Sequence, residues 1–287
     1  MSTPVSYTDV IKDIDDFYIE NSVDVYVPTL DKKLKFKPLS VSQMKHFIEL
    51  QVKAQKEQNE ALPSVDLVKD LNECLATNYI GKDSDTILQK LTTLDRDCIV
   101  AQLRASNNPS VDVTDPETKE PVSVSIEHIL TGFDDHKLDA TNKRHEKVFK
   151  FKTGQMKLKL KLPTLQHDAY VNEFFKAQLK PVLKQGKKAV EKHLEKILSQ
   201  TFFIELSKYI EVLEITKKDN NTVLTFDNTQ TLSQQLKLLE ELPTSIVVEI
   251  NGFMKGIKEY KDAVLFYVDT DGNQKPLVVD VNLFTTI

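Results

Sequence analysis

The feature that most constrains the fold is the strict alternation of lysine and leucine in Lys157–Leu162. Successive side chains of a β-strand point to opposite faces, so this pattern predicts a strand with one buried face and one polar face. The segment Lys147–Lys152 alternates in the same way, and a Thr-Gly pair lies between the two segments. The sequence therefore predicts a β-hairpin here, and places three lysines on one face of its second strand: Lys157, Lys159 and Lys161.

Period-two alternation recurs in four other places and predicts four more hairpins, at Val23–Leu39, Val111–Ile126, Ile210–Phe226 and Ala263–Val281. The stretches between these hairpins carry apolar residues at intervals of three and four, which is typical of amphipathic helices. Strands and helices are segregated along the chain rather than strictly alternating. The sequence therefore predicts an α+β fold built from antiparallel hairpins and helices.

The order of elements predicts two tandem related units, each composed of a β-hairpin, helices and a second β-hairpin. The pattern around Leu34 resembles that around Leu158, and the hairpin from Thr114 resembles the one from Thr270. The spacing between matched positions grows along the chain, as expected if the second copy carries insertions. The predicted organisation is an N-terminal amphipathic extension at 1–22, a first unit at 23–133, a linker at 134–146, and a second, diverged unit at 147–287 with an inserted hairpin near 210–227.

The N-terminal extension contains a short predicted helix with one apolar face. Val10, Ile14, Phe17 and Tyr18 recur at helical spacing. Because this helix lies outside both repeated units, no core is assigned to its apolar face. We expect the face either to cap the first unit or to bind a groove on a partner protein.

The three lysines of the second strand also allow two interpretations. Lysine on a solvated face protects an edge strand from pairing with the wrong chain. Alternatively, Lys157, Lys159 and Lys161 form a patch that binds an acidic partner or a polyanion. We therefore treat these lysines, together with Val10, Ile14, Phe17 and Tyr18, as the candidate partner-binding residues.

No residue pattern predicts catalysis, and the chain is not expected to be an enzyme. The six histidines do not fall into HExxH or a comparable spacing, and neither a GxSxG elbow nor a phosphate-binding glycine motif occurs. Asp269–Asn273 resembles the start of a calcium loop, but its glycine is misplaced, and Asp-Gly between alternating strands is typical of a hairpin turn. We therefore predict no catalytic residues, no metal site and no cofactor.

Composition limits the remaining classes. A net charge of −5 argues against general binding of nucleic acid, which requires clustered basic residues. Cys74 and Cys98 are too few for a disulfide framework, and we expect both to be reduced and buried. No apolar run is long enough for a membrane span or a signal peptide. Synthesis in the cytoplasm is therefore expected.

Two segments resemble a known family. The hairpin end and helix LKFKPLSVSQMKHFIEL (Leu34–Leu50) and the segment LTTLDRDCIVAQLRASN (Leu91–Asn107), with the hairpin that follows, resemble T-even-like bacteriophage proteins. These are the baseplate hub subunits and baseplate hub assembly proteins of contractile tails. The second half repeats the resemblance through Lys147–Leu165, LLEELPTSIVVEINGFMKGI (Leu238–Ile257) and the terminal hairpin.

The resemblance implies a late structural or assembly component of the tail baseplate hub that acts by protein–protein binding. Its implied partners are other hub proteins and the tape-measure protein. Its implied location is the virion, after synthesis in the host cytoplasm. A non-virion assembly chaperone for hub or tape-measure proteins is one alternative, and a cell-wall hydrolase is the enzymatic alternative.

The family also suggests a small zinc ribbon, because some members carry cysteine pairs in the hairpin turns. The matching turns here, Asp115–Pro121 and Asp271–Pro276, contain no cysteine. Four thiolates would be needed to hold such a metal, so we expect these turns to be metal-free.

Overall fold

The computed structural model describes residues 7–57, 61–114, 121–133, 136–184, 202–217, 220–226, 232–279 and 283. It confirms an α+β protein with small antiparallel sheets. Two compact units are present. Unit 1 comprises Met1–Ile87, Asp95–Lys137 and Asp262–Ile287, and unit 2 comprises Leu88–Leu94 and Leu138–Lys261. The tandem relationship between two repeated units stays a prediction.

The described helices are, in chain order, α1 (Tyr7–Glu20), α2 (Val41–Glu57), α3 (Ala61–Asn78), α4 (Ile87–Lys90), α5 (Thr93–Asn107), α6 (Ala140–Lys143), α7 (Leu165–Lys184), α8 (residues 202–209), α9 (Leu232–Glu240) and α10 (Thr244–Val264). Short 3₁₀ turns occupy Ser84–Thr86 and Glu127–Leu130.

The described strands are β1 (Val23–Val27), β2 (Lys32–Phe36), β3 (Ser110–Thr114), β4 (Pro121–Ser125), β5 (Arg144–Phe151), β6 (Gly154–Lys161), β7 (Ile210–Lys217), β8 (Asn220–Thr225), β9 (Phe266–Val268) and β10 (Gln274–Pro276). The five predicted hairpins are present, as β1–β2, β3–β4, β5–β6, β7–β8 and β9–β10. The last is shorter than the predicted Ala263–Val281, because Ala263 and Val264 belong to α10 and residues 277–279 are not in a strand.

Unit 1 contains three two-stranded hairpins with helices α1, α2 and α3 and most of α5. Helix α2 begins with a capping box formed by Ser40 and Gln43, which are three positions apart in the sequence. The backbone N–H of Gln43 donates to Ser40 Oγ (3.2 Å), and the Ser40 N–H donates back to Gln43 Oε1 (2.9 Å). These reciprocal bonds satisfy two N–H groups that have no partner within the helix. The core of this unit is formed by fully or almost fully buried side chains, among them Val25, Phe36, Phe47, Leu75 and Leu103.

An amide side chain in unit 1 forms hydrogen bonds with the backbone of β1 on the side away from β2. Gln102, on α5, accepts from the Tyr26 N–H and donates to the Tyr26 carbonyl oxygen, both over 2.9 Å. The turn between β1 and β2 is also fixed from α5, because buried Asp95 accepts from the Thr29 N–H (3.0 Å) and hydroxyl (2.5 Å). The first hairpin is thereby joined to the helix whose sequence carries part of the family resemblance.

Unit 2 is organised around a four-stranded antiparallel sheet in the order β5-β6-β7-β8. The alternation in β6 is confirmed: Leu158 and Leu160 are fully buried, whereas the intervening lysines are only partly covered. The hairpin near 210–227 adds β7 to the free side of β6, with Leu213 opposite Leu158. Strand β6 is therefore an interior strand, and the interpretation that its lysines protect a sheet edge is wrong.

Two segment boundaries differ from the sequence-based organisation. Residues 140–146, within the predicted linker at 134–146, form α6 and the start of β5, because Arg144 pairs opposite Lys161 and extends the hairpin; Asp134 and Asp135 lie outside the described residues. The terminal hairpin β9–β10 groups with unit 1 rather than with the rest of 147–287. Within unit 1, Phe266 of this hairpin stacks its ring on the imidazole of His128.

Candidate interaction surfaces

Helix α1 presents an apolar face to solvent. Val10, Ile11 and Ile14 are 41%, 48% and 46% exposed, and Phe17 is 60% exposed. Tyr18 is half-buried, and its ring makes an edge contact with that of Phe17 at a centroid distance of 6.2 Å. Isolated apolar residues on a surface are ordinary, but four on one short helix form a contiguous patch of the kind that marks an interaction site.

The polar side of α1 is strongly acidic. Its fourteen residues, YTDVIKDIDDFYIE, contain five Asp or Glu residues and one Lys. Asp15 forms an ion pair with Lys37 after β2, with Asp15 Oδ1 and Lys37 Nζ 2.5 Å apart. Asn21 caps the end of the helix by donating from Nδ2 to the Phe17 carbonyl oxygen over 2.8 Å. The ion pair of Asp15 with Lys37 joins α1 to the rest of unit 1, and the side chains at 10–17, 19 and 20 are exposed on both the apolar and the polar side of the helix.

The lysines of β6 lie in unit 2, on the polar face of its sheet. Lys157 Nζ donates to Glu146 Oε1 on β5 over 2.8 Å, and Glu214 lies opposite Lys157 on β7. The hydrogen bond to Glu146 raises the pKa of Lys157, and the charge of Glu214 adds to that effect. Lys159 and Lys161 are half-buried. Because Lys157 lies between two carboxylates, the positive field of the patch is partly neutralised.

The candidate residues therefore fall into two sets on different units. Val10, Ile14, Phe17 and Tyr18 belong to unit 1, and the three lysines belong to unit 2. The apolar face of α1 is exposed and does not cover the core of unit 1; its binding to a partner groove stays a prediction. Of the three lysines, Lys157 forms an ion pair with Glu146 of the neighbouring strand β5, within the sheet.

Sequence reasoning missed a third surface feature, an open pocket of about 610 Å³ in unit 1. It is lined by Ser125, Glu127, His128, Leu130, Thr131 and Val268. The imidazole of His128 stacks on Phe266 with ring centroids 4.1 Å apart, and its Nε2 is buried without a hydrogen-bond partner in the described structure. Burial lowers the pKa of His128, and a hydrogen bond with the backbone of Phe266 partly opposes this. Burial therefore favours the neutral form of the ring.

The polar groups of the pocket lining are one imidazole, two hydroxyls and one carboxylate. No sequence signal could have identified it, because His128 lies in the 3₁₀ turn after β4 and Phe266 begins β9, far along the chain. Two other histidines have carboxylate partners: His145 Nε2 lies 2.6 Å from Glu249 Oε1, and His46 Nε2 lies 2.8 Å from Asp70 Oδ2. These pairs connect neighbouring elements of their own units.

The residues that the structure describes contain neither a metal-ligand cluster nor a membrane-spanning helix. Within them, no three His, Cys, Asp or Glu side chains are grouped so as to hold a metal ion, and none of the described helices has the length and apolar character that crossing a bilayer requires. The predicted turn at Asp269–Asn273 is confirmed: Asp269 Oδ1 accepts from the N–H groups of Asp271 (3.1 Å) and Asn273 (2.7 Å). The corresponding turn at 115–120 lies outside the described residues. Neither cysteine forms a disulfide, and both are buried, as predicted.

Comparison of the chain with protein-family models, with curated proteins and with solved structures finds no match.

Proposed function

We propose that this chain is a structural or assembly component of the baseplate hub of a contractile phage tail, and that it acts by protein–protein binding. The class of assembly is suggested by the sequence resemblance of Leu34–Leu50 and Leu91–Asn107. The observation that carries the binding mode is the exposed apolar face of α1. Its partners in this proposal are other hub proteins and the tape-measure protein, and its location is the virion.

The exposed face of α1 has the residue spacing expected of a helix that docks into a groove. An amphipathic helix binds such a groove through apolar anchors at positions i, i+3, i+4 and i+7. Val10, Ile14 and Phe17 have this spacing, with Ile11 beside them. Each side chain is already about half covered, so completing its burial contributes about 1 kcal/mol. The face alone therefore provides about 4 kcal/mol, which is less than a stable complex needs once the entropic cost of association is subtracted.

Further contacts must therefore supplement α1. A standard interface buries about 800 Å² on each partner, more than one face of a 14-residue helix offers. The acidic side of α1 also contributes to binding if the partner groove has a basic rim. Complementary charges raise the association rate and select the partner. The proposed partner surface is thus an apolar groove bordered by Lys or Arg.

We also propose that the chain arose by duplication of a hairpin–helices–hairpin unit. The supporting observations are the matched sequence patterns around Leu34 and Leu158 and the five hairpins at the predicted positions. Superposition of β1–β2 with the helical segment Thr93–Asn107 onto β5–β6 with the helical segment Thr244–Val264 tests this. Hairpins that align while the helices cross them at unrelated angles would contradict it.

The hub assignment is tested by mass spectrometry of purified tail particles after chemical crosslinking. We expect the chain in the particle, with crosslinks from Lys12 or Lys37 to a neighbouring hub protein. The double variant Ile14→Ser/Phe17→Ser should reduce incorporation at least about tenfold, since about 1.4 kcal/mol of lost binding energy suffices for that. Val248→Ser is the matched control, because Val248 is 63% exposed on α10.

The outcomes separate the alternatives. A chain that binds hub proteins in infected lysate but is missing from particles would contradict the structural role and indicate the chaperone. A chain found in neither would contradict the proposal as a whole. Equal loss with Val248→Ser would show that the effect does not depend on α1.

A further inference from the structure

The two edges of the four-stranded sheet in unit 2 differ sharply in charge. In the described sheet, β5 and β8 are the outer strands. Strand β5 reads RHEKVFKF and carries Arg, Glu and two Lys residues, which is how natural proteins prevent an edge from pairing with another chain. Strand β8 reads NNTVLT and contains no charged residue and no proline. One edge is therefore protected and the other is not.

The hydrogen-bonding pattern identifies which groups of β8 point outward. The Phe226 N–H donates to the Glu211 carbonyl oxygen over 3.1 Å, so this pair is hydrogen-bonded. Pairs alternate along an antiparallel ladder, and the register places Leu224 opposite Leu213. The outward-pointing backbone groups are therefore the N–H and C=O groups of Asn221, Val223 and Thr225. The Val223 side chain is also 52% exposed.

This row of groups is self-complementary. Turning a second copy of β8 by 180° about Val223 places Val223 opposite its own equivalent and Asn221 opposite Thr225. All three outward N–H groups and all three outward C=O groups of each copy then form hydrogen bonds, which gives six across the junction. No like charges face each other, because the paired side chains are uncharged. The same operation on β5 would pair positions occupied by Arg144, Glu146, Val148 and Lys150.

We propose that β8 is a self-association edge, at which two copies of the chain pair antiparallel and join their sheets into one of eight strands. The interface is isologous, as in most homodimers. A six-residue strand buries less than a standard interface, so the dimer is weak and depends on concentration. This inference is independent of the proposed function, because it concerns only copies of this chain.

Sedimentation velocity of the purified full chain tests the proposal from about 10 to about 500 μM, where small interfaces associate. We expect the mass to rise with concentration from 32.8 kDa toward twice that value and no further. Hydrogen exchange at the Asn221, Val223 and Thr225 amides should slow over the same range. Their neighbours Thr222 and Leu224, already bonded to β7, should not change.

Two substitutions remove the pairing by different means. Val223→Lys places two positive charges opposite each other across the two-fold axis. Val223→Pro removes one outward donor from each copy, and proline is tolerated at an outward position of an edge strand. Each should weaken dimerisation by about tenfold or more, Val223→Lys through charge repulsion and Val223→Pro through the loss of two of the six hydrogen bonds. Circular dichroism and thermal unfolding confirm that each variant is folded.

The control variants are Val148→Lys, at an outward position of β5, and Val248→Lys, on α10. Both side chains are exposed, and neither variant should affect dimerisation. A chain that stays monomeric at the highest concentration would overturn the proposal, as would a dimer that survives Val223→Lys. Growth of the wild-type chain beyond the dimer, abolished by Val148→Lys, would also overturn the proposal, because it would indicate head-to-tail pairing of β5 with β8.

Discussion

Arg104 donates a hydrogen bond from Nε to the carbonyl oxygen of Leu283 over 2.8 Å, although the two residues are 179 positions apart. The same guanidinium donates from Nη2 to the Ser110 carbonyl oxygen over 2.8 Å and from Nη1 to that of Asn108. Arg104 is fully buried. One side chain therefore joins the end of α5, the start of β3 and the C-terminal segment within unit 1.

Replacing Arg104 should destabilise unit 1 strongly. In Arg104→Met, three carbonyl oxygens lose their donor, and a buried unsatisfied acceptor costs about 1–3 kcal/mol. Two of the three oxygens are only partly buried, so we expect a loss of about 3–4 kcal/mol in the free energy of unfolding. Urea titration followed by circular dichroism measures this loss.

Arg144→Met is the matched control for this experiment. The Arg144 side chain is 76% exposed and lies 3.4 Å from Glu211. Exposed ion pairs contribute little, so its effect should stay within about 0.5 kcal/mol. A result in which both variants behave alike would show that the three hydrogen bonds of Arg104 do not stabilise the fold.

A buried ion pair in unit 2 provides a second prediction. Lys208 Nζ lies 2.8 Å from Asp168 Oδ1, and both side chains are 5% exposed. Lys208→Met leaves the Asp168 carboxylate buried without its cation, which should cost about 3–5 kcal/mol. The double variant Lys208→Met/Asp168→Leu should recover most of the loss, because apolar replacement of both partners is often neutral. Equal urea midpoints for the single and double variants would contradict this account.

The pH dependence of the same pair has a definite sign. Burial alone would lower the pKa of Lys208, but the carboxylates of Asp168 and Glu205 raise it above the ordinary value of 10.5. A group with a raised folded-state pKa stabilises the protein fully below its unfolded pKa, and this contribution is lost as pH rises through the folded value. The stability difference between wild type and Lys208→Met should therefore be constant from pH 7 to about pH 9.5 and should shrink above about pH 10.5. Unfolding titrations at these pH values measure it.

Cys74 should be chemically inert in the folded chain. Burial raises the pKa of its thiol to about 12. At pH 8 only about one molecule in ten thousand carries the reactive thiolate. Alkylation should therefore be slow and proceed at the rate of unfolding, whereas an introduced Val248→Cys reacts quickly. A native thiol that reacts as fast as the introduced cysteine, located by peptide mapping, would contradict the burial of Cys74.

The sequence predicts local structure well where one short pattern decides it. The alternation in Lys157–Leu162 specifies a strand and its two faces, and Ser40 with Gln43 specifies the start of α2. The interior position of β6 could not be predicted, because its pairing with β7 joins segments separated by the whole of α7. Lysine on a polar face is equally compatible with an edge strand and an interior strand.

The long-range polar contacts could not be predicted from the sequence for a related reason. Arg104 binds backbone carbonyl oxygens, which every residue possesses, so no partner residue type reveals the contact. His128 stacks on a phenylalanine from the last hairpin, and only the folded chain brings them together. For α1, the spacing of Val10, Ile14 and Phe17 predicts an apolar face but not whether that face is covered. That depends on the rest of unit 1.

Two glycines in contrasting environments should respond oppositely to the same substitution. Gly272 has φ +83° in the β9–β10 turn, a conformation that disfavours a side chain, so Gly272→Ala should cost about 1 kcal/mol or more. Gly252 lies within α10, and a Cβ added there meets no atom within 4 Å. Gly252→Ala should therefore stabilise the protein by about 0.5–1 kcal/mol, because alanine loses less backbone entropy in a helix. Urea midpoints of the two variants give the signs directly. Destabilisation by Gly252→Ala would mean that this face of α10 is covered in solution, because a methyl group in open space has nothing to displace.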